Sequence, residues 1–366
     1  MVVDELQNLK HKKARRNAAA AKCMHYKTIC RPLPGRASRP GTCICAGPAG
    51  QCHTTAFSSQ AMYQPQRHAT SRHLAIRNHP YHLLQWGSSQ SQPALVLCHG
   101  WMDVGASFQF VVDQFSDAFT ESRTIIAPDW RGFGQSRSSS APDHFPFVDY
   151  LGDLDALIDG ISPDAPVDLL GHSMGGNVAM LYAAARPARV RRLINLEGFG
   201  LPSSLPAQAP QRTARWLDEI RDLRNGRIGT RPYADADEVA TRLQKNNPRL
   251  SADKALWLAH HWATVGADGL WRIAGDDAHK VVSAQLFRAD EMLASYAAIA
   301  CPTLMVKAEP DTMAAFWQGK FTQAEFLQRL ALVPDVRVAD LSEAGHMLHH
   351  DQPHTLASMI EGFLGN

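Results

Sequence analysis

Ser173 lies in Gly171-His172-Ser173-Met174-Gly175, between the apolar run Val167-Asp168-Leu169-Leu170 and the helical spacing Val178, Leu181, Tyr182, Ala185. A strand that stops at a glycine and turns at once into a helix holds the serine in a cramped backbone conformation. Its hydroxyl then projects from the carboxyl edge of a sheet, above a helix amino terminus that favours negative charge. A hydroxyl is a poor nucleophile until a base takes its proton, and the base needs a carboxylate to fix its tautomer. With this turn, acid and histidine follow the serine in the chain. His346, in Glu343-Ala344-Gly345-His346-Met347, follows the last strand-like run and is the expected base. Two carboxylates compete to orient it: Asp311, after the strand-like run 302–306, and Glu197, after the run 190–196. Asp311 is the expected acid and Glu197 the alternative, whose other role is to accept hydrogen bonds from loop amides.

Attack by the serine leaves an oxyanion that needs two backbone N–H donors. Met174, directly after the nucleophile, supplies one, and the loop after Gly100, most simply Trp101, supplies the other. Gly100, Trp101 and His172 are the expected substrate-contacting positions, and His99 is expected to shape the oxyanion loop. His349, His350 and His354 crowd the same region as His346 and could suggest a metal. Asp351-Gln352-Pro353 reads as a helix start, so these histidines are read as surface or packing residues and no metal is expected.

The elements around these residues alternate. Two strands are expected around the turn Asn78-His79-Pro80, then buried apolar strands over 94–98 and 124–128. Helical spacing recurs at Phe108, Val111, Val112, Phe115 and at Phe147, Leu151, Leu154, Leu157, Ile158. Further strands are expected at 190–196, 302–306 and 336–339, and a helix from Leu356 to Leu364. This rhythm predicts an α/β fold with a mostly parallel, doubly wound sheet. It breaks over 200–292, a helix-like stretch carrying Trp216, Trp257, Trp262 and Trp271. That stretch is read as a helical cap over the sheet's carboxyl edge. Its tryptophans suit equally a pocket for an apolar acyl or alcohol group or the cementing of cap to core. The expected organisation is a basic extension over 1–66, core over 67–199, cap over 200–292 and core again over 293–366.

The chain has 366 residues, is 45% hydrophobic and carries a formal charge of +2. It is long enough to bury a substantial core. Residues 1–60 hold ten Lys/Arg against Asp4 and Glu5, a balance of +8, so the remainder carries −6. The basic segment has no lasting apolar period and no apolar core of a secretory signal. It suggests organelle import or weak nucleic-acid contact, but reads best as a disordered extension with Met62 as an alternative start. Five of seven cysteines lie there, and Cys43-x-Cys45 with Cys52-His53 lacks the paired spacing of a zinc site. Cys98 and Cys301 read as buried reduced thiols, which fits a cytoplasmic setting. No membrane span is expected, and no nucleic-acid partner; the oligomeric state is not legible.

Over about residues 72–366 the chain resembles the α/β-hydrolase superfamily. The motifs that carry the likeness are His99-Gly100-Trp101, Asp129-x-Arg131-Gly132-x-Gly134-x-Ser136, Gly171-x-Ser173-x-Gly175, Asp311 and Gly345-His346. His99-Gly100-Trp101-Met102-Asp103 followed by Ser107-Phe108 is similar to the serine-hydrolase-like carboxylesterase branch. Serine at 173, where an aspartate would stand, argues against epoxide hydrolases and haloalkane dehalogenases. The resemblance implies no cofactor and no metal. It implies a serine hydrolase that cleaves a small-molecule carboxylic ester, or a related acyl compound, through an acyl-enzyme. Hydrolysis of a C–C bond, thioester hydrolysis and perhydrolysis use the same groups, and a non-catalytic binder of a small ligand is the reading from another class.

Overall fold

The computed structural model describes residues 62–137 and 142–365. The basic extension, with Met1 to Ala61 and the Cys43-x-Cys45 pair, lies outside the described residues. The extension expected to reach residue 66 gives way to fixed chain earlier. The Tyr63 hydroxyl and the amides of Gln66 (3.0 Å) and Arg67 (2.8 Å) all donate to the Asp113 carboxylate.

Among the described residues, eight strands form one sheet: β1 (Thr70–Ile76), β2 (His79–Trp86), β3 (Leu95–Cys98), β4 (Ile125–Pro128), β5 (Val167–His172), β6 (Val190–Leu196), β9 (Thr303–Glu309) and β10 (Val336–Ser342). Their order is β1-β2-β4-β3-β5-β6-β9-β10, antiparallel at β1-β2-β4 and parallel from β4 to β10. The continuous apolar runs of β3 and β4 and the largely apolar run of β5 belong to strands covered on both faces, and every residue of all three is buried. Asp168 is tolerated in the middle of this sheet because Arg123 (3.1 Å) and Arg191 (2.6 Å) pair with it. The first hairpin turns at Arg77 and Asn78, both at positive φ, so β2 begins at His79 rather than after Pro80.

Helices α1 (Phe147–Ile161), α2 (Met174–Ala185) and α6 (Ala289–Ala297) cover one face of the sheet through Leu154, Leu157, Val178, Met180, Met292 and Tyr296. The other face is covered by Phe108, Val111 and Phe115 and by α7 (Pro353–Gly365), through Leu356, Ile360 and Phe363. Between β6 and β9 in the chain, the stretch read as a cap contains α3 (Ala209–Arg224), α4 (Ala236–Asn246) and α5 (Ala252–Trp262). It also contains a small antiparallel pair, β7 (Ala263–Val265) and β8 (Trp271–Ile273), that was not expected. Three residues per strand are too few for a period-2 pattern to register. Helix α6 starts at Ala289, inside the stretch assigned to the cap, and buries its apolar face against the sheet layer.

A third apolar cluster joins α4 and α5 to the loop after β3. Val239, Leu243, Leu250, Trp257, Leu258 and Trp262 pack on Val104, Ala106 and Phe110. The Trp262 indole also donates to the Met102 carbonyl at 2.7 Å. Cys98 and Cys301 are buried and free. Among the described residues no helix is long and apolar enough to cross a membrane.

Candidate active site

Ser173 sits between β5 and α2 with φ 52° and ψ −114°, outside the regions a residue with a side chain prefers. Strand end and helix start pass so closely there that side chains two positions either way would collide. A Cβ on Gly171 would lie 2.3 Å from the Gly175 carbonyl oxygen, and one on Gly175 would lie 2.2 Å from the Cys98 carbonyl oxygen. The turn is pinned to the next strand, since the Ser173 amide donates to the Leu196 carbonyl at 2.8 Å.

His346 occupies the loop after β10. Its Nε2 lies 3.0 Å from Ser173 Oγ and its Nδ1 lies 3.2 Å from Glu197 Oε2. The serine, imidazole and carboxylate therefore form one chain of contacts, with the His346 side chain 46% exposed and the Glu197 side chain fully buried. The imidazole loop is held from two sides. His172 Nε2 donates to the His346 carbonyl at 2.7 Å, and the Gly345 amide donates to Asp351 at 2.7 Å.

The carboxylate that meets His346 is Glu197, and Asp311 does not reach it. Glu197 ends β6 at positive φ. There its Oε1 accepts from the Ala308 amide at 2.7 Å, while its Oε2 also accepts from the Thr312 hydroxyl. Glu197 thus makes both kinds of contact in one side chain: it accepts from a loop amide and it touches the His346 imidazole. Asp311 is exposed and turned to its own chain, where its carboxylate caps the helix Thr312–Trp317 by accepting from the Met313 amide at 2.8 Å.

Met174 opens α2 directly after Ser173. The Gly100-Trp101 backbone runs alongside, since a Cβ on Gly100 would lie 3.3 Å from Ser173 Cβ. The Trp101 side chain is 54% exposed, and its indole donates to the His279 carbonyl. His99 holds this loop from behind. Its Nδ1 donates to the Gly100 carbonyl (2.7 Å) and its Nε2 accepts from the Trp130 amide (2.9 Å), which fixes a neutral tautomer. The Asp129 motif does similar bracing: Asp129 accepts from the Gly105 and Gln135 amides and from His82.

A cavity of about 220 Å³ opens at Ser173. Its walls are Gly100, Trp101 and His172 together with Leu243, Leu250, Leu258 and Trp262 from the 200–292 stretch, and Asp103 and His350 also reach it. Sequence reasoning named Gly100, Trp101 and His172 but missed the leucines, because nothing along the chain tells a wall residue from a core one. His349 and His350 are buried, while His354 is exposed. Burial pushes the Asp103 carboxyl up to about 7 and holds His350 down to about 3.

The buried neutral histidines are expected to make the fold acid-labile. Burial lowers His99 to about 4 and His279, stacked between Phe133 and Phe145, to about 3. In the unfolded chain both take up a proton near pH 6.5, so they stabilise the fold above that pH and the contribution is lost as pH falls toward 4. By pH 4.5 each costs about 2–3 kcal/mol. Asp103, with its folded value above the unfolded one, offsets part of this. Urea midpoints are expected to fall steeply from pH 7 to 4.5; a flat profile would contradict the buried neutral assignment.

The fold and this site define the class. The chain belongs to the α/β-hydrolase fold family, whose model matches residues 93–353. It is 26% identical over 294 residues to a serine hydrolase-like protein of Danio rerio, covering 76% of this chain and 83% of that one. It is 31% identical over 157 residues to a probable serine hydrolase of Drosophila melanogaster, covering 42% of this chain and only 45% of that protein's length. Among solved structures, the thioesterase domain from the curacin biosynthetic pathway matches with a TM-score of 0.66 at 23% identity, over 80% of this chain and 98% of that one. E-2-(acetamidomethylene)succinate hydrolase matches with a TM-score of 0.63 at 22% identity, over 82% and 100%. At these identities the structural likeness is one of fold.

Proposed function

We propose that this chain is a serine hydrolase that cleaves carboxylic esters, or closely related acyl compounds, through an acyl-enzyme. The observation that carries the reading is the unbroken series Ser173 Oγ, His346 Nε2, His346 Nδ1, Glu197 Oε2, at 3.0 and 3.2 Å. His346 takes the Ser173 proton as the oxygen attacks the carbonyl carbon, and Glu197 holds the imidazolium that forms. The N–H groups of Met174 and Trp101 receive the oxyanion. Collapse breaks the C–O bond, and His346 returns the proton to the leaving alcohol. Water, deprotonated by the same histidine, then attacks the acyl carbon; collapse frees the acid and returns the proton to Ser173. The serine hydrolase-like names of relatives support the same reaction class.

The 200–292 stretch acts as a cap in this reading, because Leu243, Leu258 and Trp262 supply the apolar wall of the cavity at Ser173. Trp262 does both jobs weighed for the tryptophans, lining the cavity and tying the cap to Met102. An apolar cavity of about 150 Å³ accommodates benzene, so 220 Å³ suits a short or medium acyl group. Across p-nitrophenyl esters, kcat/KM is expected to peak at acyl chains of about four to eight carbons and to fall by ~10-fold or more at about twelve. A fluorophosphonate probe should label Ser173 rapidly. A folded protein left unlabelled would instead be a small-ligand binder.

A further inference from the structure

Behind the nucleophile lies a buried polar cluster that the proposed reaction does not use. Asp103, His172 and His349 each offer one ligand atom, all within 4.8 Å of one another. All three residues are at least nine-tenths buried. Asp103 gives one oxygen to the Ser107 hydroxyl and leaves Oδ2 with no partner. His172 uses Nε2 as donor to the His346 carbonyl, so its Nδ1 carries a bare lone pair, and that atom too has no partner. Neither nitrogen of His349 has one, and its Nε2 lies 4.0 Å from Asp103 Oδ2. Orphaned buried polar atoms are costly, and three converging in one place, one from each residue, call for something that satisfies them together.

We propose that Asp103 Oδ2, His172 Nδ1 and His349 Nε2 form a site for a divalent transition cation of the zinc class, entered through the cavity at Ser173. The donor set suits such an ion: two neutral imidazoles and a carboxylate, with a fourth position open to water. Two of the three ligands have a second-sphere contact, since the His346 carbonyl fixes the His172 tautomer and Ser107 holds the other Asp103 oxygen. The entry path exists because Asp103 and His172 line the cavity. A tetrahedral zinc holds its ligand atoms about 3.3 Å apart, so the cluster closes on the ion with shifts of about 1 Å. A bound cation shares the cavity wall with the acyl group, so loading should compete with ester substrate.

The test is Co²⁺ binding to the full chain by equilibrium dialysis, a readout that needs no turnover and stands whether or not the hydrolase reading holds. Wild type is expected to bind one more equivalent of Co²⁺ than Asp103→Asn or His349→Gln, while His346→Ala keeps that equivalent. Equal stoichiometry in wild type and both variants, or loss of the ion in His346→Ala, would overturn the site. Should either variant fail to fold by near-ultraviolet circular dichroism, the visible spectrum of loaded wild type decides. Intense d–d bands of tetrahedral Co²⁺ without thiolate charge transfer support the site. Weak octahedral bands, or bands accompanied by charge transfer from the chain's cysteines, place the ion elsewhere.

Discussion

Ser173→Ala is expected to lower kcat on the best p-nitrophenyl ester by about 10⁴–10⁶, with the fold intact. In the proposed mechanism serine, imidazole and carboxylate act as a unit, so removing the oxygen that would be acylated forfeits nearly all of the covalent route. What remains is the contribution of the oxyanion donors and of binding, which do not pass through the hydroxyl. The substitution should spare stability, because the backbone contacts that pin the turn, such as Ser173 N to the Leu196 carbonyl, survive it. Burst kinetics and fluorophosphonate labelling should vanish together. Near-normal turnover in a clean preparation would sink the proposed mechanism.

The second large effect separates the two candidate acids. Glu197→Gln is expected to lower kcat by about 10³–10⁴, while Asp311→Asn leaves it within about threefold. The reason lies in the contacts. Glu197 Oε2 stands 3.2 Å from His346 Nδ1, whereas the Asp311 carboxylate is spent on the Met313 amide. Glutamine keeps the size of the side chain and an oxygen for the Ala308 amide. It removes the charge that stabilises the imidazolium and fixes its tautomer. Kinetics on both variants, with thermal melts as a control for folding, check this. A collapse of kcat in Asp311→Asn with full activity in Glu197→Gln would reverse the assignment. Asp311→Asn should leave stability nearly unchanged, because asparagine keeps a side-chain oxygen for the Met313 amide and caps a helix about as well.

Much of the fold was legible because local rules and global structure agree. The strand runs at 94–98, 124–128 and 167–170 are dominated by apolar residues on both faces, and a sheet covered on both sides makes such strands stable. The glycines at 171 and 175 announce a turn in which backbones touch, and the distances found there bear that out. The hairpin β7 and β8 escaped notice because its strands are too short to show a period. The fixed stretch from Tyr63 to Arg67 escaped because its anchor, Asp113, lies some fifty residues away along the chain.

The site divides along the same line. The sequence by itself determined the kind of chemistry on offer: a serine in a strained strand-to-helix turn, a histidine in the loop after the final strand, and acids at two strand ends. Which acid meets the histidine was decided by tertiary structure alone. Strands β6 and β9 are parallel neighbours, with Leu196 beside Val306, so both carboxylates emerge at the same edge. Their order along the chain carries no information about which one turns inward. Glu197 turns in because its left-handed backbone and the Ala308 amide aim it there, and Asp311 turns away because a helix begins on it. Side-chain direction at the end of a strand depends on neighbours that only the assembled sheet brings together.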